Sequence, residues 1–122
     1  MKKRNKVLIL DDEKDLCELI KEILKLENYQ VDCAYTLKEG MKKWGNYRPS
    51  VVLLDNNLPD GMGLDMIESH QSLLENSQVI MITAEIYSSL RSRAEAAGIK
   101  YFLQKPFSLK TIRELINRLF DK

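Results

Sequence analysis

Several short apolar runs of the 122-residue sequence end at side chains that are able to do chemistry. If these runs are parallel strands, their carboxyl ends lie along one edge of a sheet, which is where open α/β folds bind ligands. The side chains comprise three carboxylates, one hydroxyl and one ammonium group: Asp11, Asp12, Asp55, Thr83 and Lys105. The sequence therefore predicts that these groups converge on one site.

Such a site is suited to phosphoryl transfer. Gathered carboxylates repel each other and raise one another's pKa unless a cation balances their charge. Mg²⁺ suits one or two carboxylates together with waters and a phosphate oxygen, and it stabilises charge on a transferring phosphoryl group. A carboxylate is itself a competent nucleophile that forms an acyl phosphate. Lys105 and the Thr83 hydroxyl are suited to bind the oxygens of the incoming group.

Five strand candidates must position these residues. Residues 7–10, 51–54 and 79–82 are apolar throughout, as is typical of strands that helices cover on both faces. Residues 31–34 and 101–103 are shorter candidates. Helical patterns alternate with the strands, which predicts βαβ units with right-handed crossovers. The predicted fold class is α/β, a doubly wound, flavodoxin-like parallel sheet of five strands with five helices.

Caps and apolar spacing predict where the helices begin and end. Thr36 and Glu39 form a capping box for the second helix, which we expect to stop near Gly45. Gly98 is placed to end the fourth helix, and Ser108 to begin the fifth. The third helix is expected to carry Leu64, Ile67 and Leu74.

Composition predicts one globular domain over residues 1–122, with 44% hydrophobic and 30% charged residues. The net charge of +1 favours neither a nucleic-acid nor a membrane partner. No apolar run approaches the roughly 20 residues needed to cross a bilayer, and nothing resembles a signal peptide, so we expect a cytoplasmic protein. Cys17 and Cys33 are interpreted as small apolar residues of a reduced interior.

Four motifs resemble those of the receiver domain of two-component response regulators, in the same order and over essentially the whole chain. They are VLILDDE at residues 7–13, LLDNNLPDG at 53–61, ITA at 82–84 and KPF at 105–107. Each motif is weak alone, whereas their order and spacing together are highly specific.

The resemblance implies a role for each site residue. Asp55 would accept a phosphoryl group from the phosphohistidine of a histidine kinase or a phosphotransfer protein. Asp11 and Asp12 would hold Mg²⁺ directly or through water, and the backbone carbonyl of Asn57 would complete the metal site. Thr83 would hydrogen-bond the phosphoryl group and Lys105 would pair with it. Beyond self-phosphorylation and autodephosphorylation, no enzyme activity is implied.

The resemblance also implies a switch and a tuning pair. Thr83 would move toward the phosphoryl group and make room for the aromatic Phe102, whose neighbour Tyr101 points to the opposite face of the strand. A phenylalanine has no hydroxyl to donate, so the switch would depend on packing. Asn57 and Glu85 occupy the positions that tune phosphoryl lifetime, and we expect them to favour rapid autodephosphorylation. The Lys105–Pro106 bond resembles the family's cis peptide, although its state cannot be read from sequence.

The signal would be read on the fourth helix, fifth strand and fifth helix. That face would control an output domain or a partner, or would form a homodimer, and we expect no direct contact with nucleic acid or membrane. Its predicted residues are Ile86, Tyr87, Leu90, Arg91, Lys100, Tyr101 and Lys110.

Other functions remain open at this point. The chain is also consistent with a stand-alone phosphorelay shuttle. A phosphohydrolase of the haloacid-dehalogenase type would need a second aspartate two residues after a nucleophile at Asp11, where Glu13 stands instead. A flavodoxin-like binding module would need a phosphate-cradling loop after the first strand, and three acidic residues occupy that place. A receiver that signals without phosphorylation is a further alternative, although all the acceptor-site residues are present.

Overall fold

The computed structural model describes residues 5–121. A five-stranded parallel sheet has the order β2-β1-β3-β6-β7 and carries the five predicted strands, and a separate two-stranded hairpin pairs β4 with β5. The strands are β1 Lys6–Leu10, β2 Gln30–Ala34, β3 Val51–Asp55, β4 Asn57–Leu58, β5 Gly61–Met62, β6 Gln78–Thr83 and β7 Tyr101–Gln104. The helices are α1 Lys14–Lys25, α2 Leu37–Tyr47, α3 Gly63–Ser69, α4 Ser88–Ala96 and α5 Leu109–Phe120.

Both faces of the sheet are buried, which explains the uninterrupted apolar runs. Successive strand side chains point to opposite faces, so Leu53 packs in the cluster beneath α1 and α5 whereas Leu54 packs in the cluster beneath α2, α3 and α4. The doubly wound flavodoxin-like fold is confirmed. Residues 1–4 and 122 of the predicted domain lie outside the described residues, so its full extent stays a prediction. Among residues 5–121, no helix has the length and apolar character needed to cross a bilayer.

The predicted N-terminal caps of α2 and α5 both form. Thr36 Oγ1 accepts a hydrogen bond from the Glu39 N–H at 3.1 Å, and Glu39 Oε1 accepts one from the Tyr35 N–H at 2.8 Å. At the start of α5, Ser108 Oγ accepts from the Thr111 N–H at 3.0 Å. These contacts satisfy backbone donors that have no partner within the helix.

One predicted helix end is displaced by two residues, and another is wrong. The second helix passes Gly45 and ends at Tyr47, where Arg48 adopts a left-handed conformation at φ +55°. The third helix ends at Ser69, because His70 leaves the helical region at φ −137° and ψ 56°. Leu74 therefore lies in a separate 3₁₀ helix, Gln71–Glu75.

The edge strand β2 is covered by a lysine from α2. Lys43 Nζ donates a hydrogen bond to the Cys33 carbonyl at 2.6 Å and another to Asp32 Oδ1 at 3.2 Å. Glu39 Oε2 lies 3.6 Å from the same ammonium group. One outward-facing backbone acceptor of the edge strand is thus already paired within the domain.

Candidate functional site

Three aspartates meet at the carboxyl end of the sheet, as the sequence predicts. Asp11 follows β1 and is 1% exposed, whereas Asp55 ends the neighbouring strand β3 and is 5% exposed. Asp12 is exposed at the mouth of the site. One carboxylate oxygen from each residue lies within 4.8 Å of the other two. This spacing lets one small cation contact more than one of them.

Lys105 reaches the same acids from the end of β7. Its Nζ lies 3.0 Å from Asp11 Oδ2, 3.1 Å from Asp55 Oδ2 and 2.5 Å from Glu13 Oε2. Burial alone would lower the pKa of Lys105, but its contacts with these carboxylates, with Glu13 first, raise that pKa above its usual value. The ammonium group therefore stays charged. The Lys105–Pro106 peptide is cis.

Asp11 is the acid that most needs a cation. Burial, with a smaller contribution from the Asp55 charge, raises the pKa of Asp11, although the Glu13 N–H and Lys105 partly offset this. Asp11 Oδ1 accepts from the Glu13 N–H at 2.9 Å, while the buried Oδ2 has no hydrogen bond among the described residues and only the ion pair with Lys105. A desolvated carboxylate oxygen of this kind fits a hard divalent ion such as Mg²⁺.

The loop after β3 fixes the orientation of Asp55. The Asn57 N–H donates to Asp55 Oδ1 at 2.9 Å, which leaves Oδ2 toward Lys105. Gly63, the first residue of α3, permits the close approach of this helix, because a Cβ there would lie 2.9 Å from the Asp55 carbonyl oxygen. The Asp55 side chain is thus oriented by a backbone contact.

Asn56 supports the same loop and was not singled out from the sequence. Its side chain is 3% exposed, and its Oδ1 accepts from the Leu64 N–H at 2.9 Å. Its own N–H donates to the Ile82 carbonyl at 2.9 Å. Glu13 likewise has no predicted role at the site, although it makes the shortest contact with Lys105. An asparagine in a turn-rich loop and an exposed glutamate give no sequence signal that separates them from ordinary surface residues.

Thr83 ends β6 and its hydroxyl is held within its own loop. Oγ1 donates to the Glu85 carbonyl at 3.2 Å and lies 3.4 Å from the Glu85 N–H. The side chain is 3% exposed, and the Thr83 carbonyl accepts from the Lys105 N–H at 2.9 Å. Thr83 and Lys105 are therefore neighbours at the carboxyl ends of strands β6 and β7.

Phe102 lies on the same face of the sheet as Thr83. It pairs with Met81 in the β6–β7 register, two residues before Thr83, and packs against the cluster beneath α4. Tyr101 packs on the other face, against the cluster beneath α5. The Arg91 guanidinium lies over the Phe102 ring, with Cζ 4.5 Å from the ring centroid.

The predicted partner face needs one correction. Leu90 is 2% exposed and packs in the core beneath α4, so it does not belong to the surface. Tyr87 is 53% exposed, and Ile86 and Tyr101 are partly exposed. The charged members Arg91, Lys100 and Lys110 are exposed.

Comparison with known proteins assigns the family. Residues 7–117 match the model described as the response regulator receiver domain. The chain belongs to this family. The receiver domain of Leptospira biflexa HemR, in its non-phosphorylated form, is similar at 28% identity, with a TM-score of 0.88 and coverage of 98% of this chain and 96% of that one. This match favours a receiver domain, which is in general regulatory rather than catalytic, over the phosphohydrolase and the flavin-binding alternatives.

Curated relatives of this receiver domain differ in length. The response regulator PilR of Pseudomonas aeruginosa is 37% identical over 93% of this chain, which corresponds to 25% of PilR. The chemotaxis protein CheY of Thermotoga maritima is 28% identical over 93% of this chain and 96% of its own length. The chain thus spans a quarter of PilR, about half of the transcriptional regulatory proteins CrdR of Helicobacter pylori and CitB of Klebsiella pneumoniae, and nearly all of the chemotaxis protein.

Proposed function

We propose that this receiver domain accepts a phosphoryl group on Asp55 from the phosphohistidine of a histidine kinase or a phosphotransfer protein, with Mg²⁺ as the cofactor. The observation that carries the proposal is the buried meeting of Asp11 and Asp55 with Lys105, with exposed Asp12 within reach. Such a cluster has an excess of negative charge that a divalent ion relieves.

The site residues have different roles in phosphoryl transfer. Asp11, Asp12 and Asp55 would hold Mg²⁺ together with the backbone carbonyl of Asn57. When bound, the ion neutralises charge on the acids and on the transferring group. An Asp55 carboxylate oxygen attacks phosphorus, so that a phosphorus–oxygen bond forms and the phosphorus–nitrogen bond to the donor histidine breaks. The imidazole leaves with the electron pair and takes up a proton.

Lys105 and Thr83 bind the oxygens of the group after transfer. Lys105 already lies 3.1 Å from Asp55 Oδ2, so a small displacement brings its ammonium group to a phosphoryl oxygen. The Thr83 hydroxyl exchanges its 3.2 Å hydrogen bond to the Glu85 carbonyl for one to the phosphoryl group. Phe102, on the same face of the sheet, then turns into the space that Thr83 leaves. Asn57 and Glu85 tune the hydrolysis of the acyl phosphate.

Phosphorylation would change the surface formed by α4, β7 and α5. Through it the domain would control an output domain or a partner protein, and two copies would pair. The similar NtrC4 receiver domain, 33% identical with a TM-score of 0.85, is described as a beryllofluoride-activated dimer. A stand-alone phosphorelay shuttle is the second candidate. The similar Thermotoga chemotaxis protein, of which the match covers 96%, indicates that a receiver domain can occur with little else in a protein. Histidine kinases of such systems meet their regulators in the cytoplasm, where we place this protein.

Mass spectrometry tests the acceptor. We expect incubation with acetyl phosphate and Mg²⁺ to add the mass of one phosphoryl group to the wild type and nothing to Asp55→Asn. Removal of Mg²⁺ with a chelator should abolish the labelling. After the donor is removed, the decay of the labelled species should slow in an Asn57→Ala, Glu85→Ala double variant.

Asp121→Asn is the matched control, because it makes the same chemical change at an exposed aspartate at the end of α5. It should label like the wild type. A label that persists in Asp55→Asn would contradict the assignment of the acceptor, and equal labelling with and without Mg²⁺ would contradict the assignment of the cofactor.

A further inference from the structure

The Phe102 ring is enclosed on two sides by different kinds of contact. Its inner side packs against the apolar cluster beneath α4. Its outer side faces the Arg91 guanidinium, with Cζ 4.5 Å from the ring centroid, well inside the range of a cation–π contact. The ring is therefore held between the core and one exposed cation of α4.

A phenylalanine depends on such contacts more than a tyrosine does. A tyrosine ring has a hydroxyl that can be anchored by a hydrogen bond, whereas Phe102 has no polar atom. Its position is therefore set by packing and by the charge over its face. Arginine suits this role because its planar guanidinium stacks on aromatic rings and stays charged at every accessible pH.

A rotation of the ring toward Thr83 would break this stack. Phe102 and Thr83 share one face of the sheet, because Phe102 pairs with Met81 and side chains two residues apart on β6 point the same way. Movement toward Thr83 would displace the ring from the place in which it stacks on Arg91, a residue anchored on α4. We take the present arrangement, in which the Thr83 hydroxyl bonds to the Glu85 carbonyl, as the resting one.

We propose that Arg91 is a positioning residue of the switch, which holds Phe102 in its resting place and so opposes activation at Asp55. The inference rests on the proposed function, since it requires that occupation of the Asp55 site favours the turned ring. A contact made in only one of two states shifts the equilibrium between them by its own free energy. Released Arg91 keeps a partner, because Glu95 Oε2 lies 3.7 Å from its Nη1 on the same helix.

Binding of beryllofluoride, a mimic of the phosphoryl group, tests this inference. Titration calorimetry with Mg²⁺ and beryllofluoride gives the Kd of the wild type and of Arg91→Ala. We expect Arg91→Ala to bind about two- to fivefold more tightly, the factor that corresponds to the loss of one exposed cation–π contact from the resting state. Arg118→Ala is the control, because Arg118 is a cation of the same groove, which Arg91 and Phe102 also line.

A double-mutant cycle separates positioning from a general effect of charge. In a Phe102→Leu background, Arg91→Ala should leave the Kd unchanged, because no ring remains for the guanidinium to hold. An unchanged Kd in Arg91→Ala alone, or the same gain in both backgrounds or in Arg118→Ala, would overturn the role of Arg91. If the wild type itself fails to bind beryllofluoride with Mg²⁺, the proposed function fails, and this inference fails with it.

Discussion

The helices on the two faces of the sheet are held against it by different kinds of contact, as a comparison of α5 with α4 shows. α5 buries Ile112, Ile116 and Leu119 against the sheet. Tyr29, just before β2, donates a hydrogen bond to Asn117 Oδ1 at 2.5 Å. Its ring packs against that of Phe120, with the ring centroids 5.0 Å apart. This side is therefore held by apolar burial and by a partly buried hydrogen bond.

α4 has nine residues and buries only Leu90 and Ala94. Its other side-chain contacts are the stack of Arg91 on Phe102 and exposed ion pairs. The shortest of these pairs joins Arg93 Nη2 to Glu68 Oε1 at 2.6 Å, and the same nitrogen lies 3.0 Å from Asp65 Oδ1. Exposed pairs of this kind contribute little to stability. The comparison teaches that α4, the helix that follows Thr83, costs less to displace than α5, which suits the switching role proposed for this surface.

The largest effect should follow from Ile116→Ala in α5. The side chain is fully buried, so the substitution removes apolar contacts and leaves a cavity, with an expected loss of about 2–5 kcal/mol in the free energy of unfolding. Urea denaturation followed by circular dichroism measures this loss. Leu19→Ala in α1, whose side chain is 49% exposed, is the control and should change stability by less than about 0.5 kcal/mol. Equal losses in the two variants would contradict the described packing of α5.

A smaller effect should follow from Tyr29→Phe. The ring and its contact with Phe120 remain, whereas the hydrogen bond to Asn117 is lost, and we expect a loss of about 1 kcal/mol in the free energy of unfolding. Tyr87→Phe removes the same hydroxyl from an exposed residue and should leave stability unchanged. If both substitutions were neutral, the hydrogen bond between Tyr29 and Asn117 would contribute nothing to the free energy of unfolding.

The smallest change in global stability should follow from Arg93→Ala, because its ion pairs are exposed. Its local effect should nevertheless be clear: amide hydrogen exchange should speed up in α4 and stay unchanged in α5. Arg113→Ala sharpens the test, since it removes an exposed ion pair from α5 to Glu27. If it loosened α5 as much as Arg93→Ala loosens α4, the contrast between the two sides would be wrong.

The sheet and the meeting of the acids could be predicted because both depend on strong local patterns. Residues 51–54 are apolar at every position, and only a strand covered on both faces explains such a short run. Asp11 and Asp55 follow two such runs directly, so the parallel topology alone brings them together. The start of α5 at Ser108 is likewise encoded in a single capping residue.

The features that could not be predicted from the sequence depend mainly on contacts between residues that are distant along the chain. Glu13 reaches Lys105 across 92 positions of the chain, and nothing near either residue indicates that contact. The burial of Leu90 was missed because α4 is short and mostly polar, although Leu90 and Ala94 stand four residues apart, as one buried helix face requires. The break at His70 follows from its local backbone conformation and has no capping signal in the sequence.

Lys43 has a consequence for self-association. A bare edge strand is a template on which a second chain can extend a sheet, and lysine is among the residues that natural proteins use to prevent this. By occupying the Cys33 carbonyl at 2.6 Å, Lys43 places a charged side chain where an incoming strand would have to pair. Strand-to-strand aggregation through β2 is thereby disfavoured.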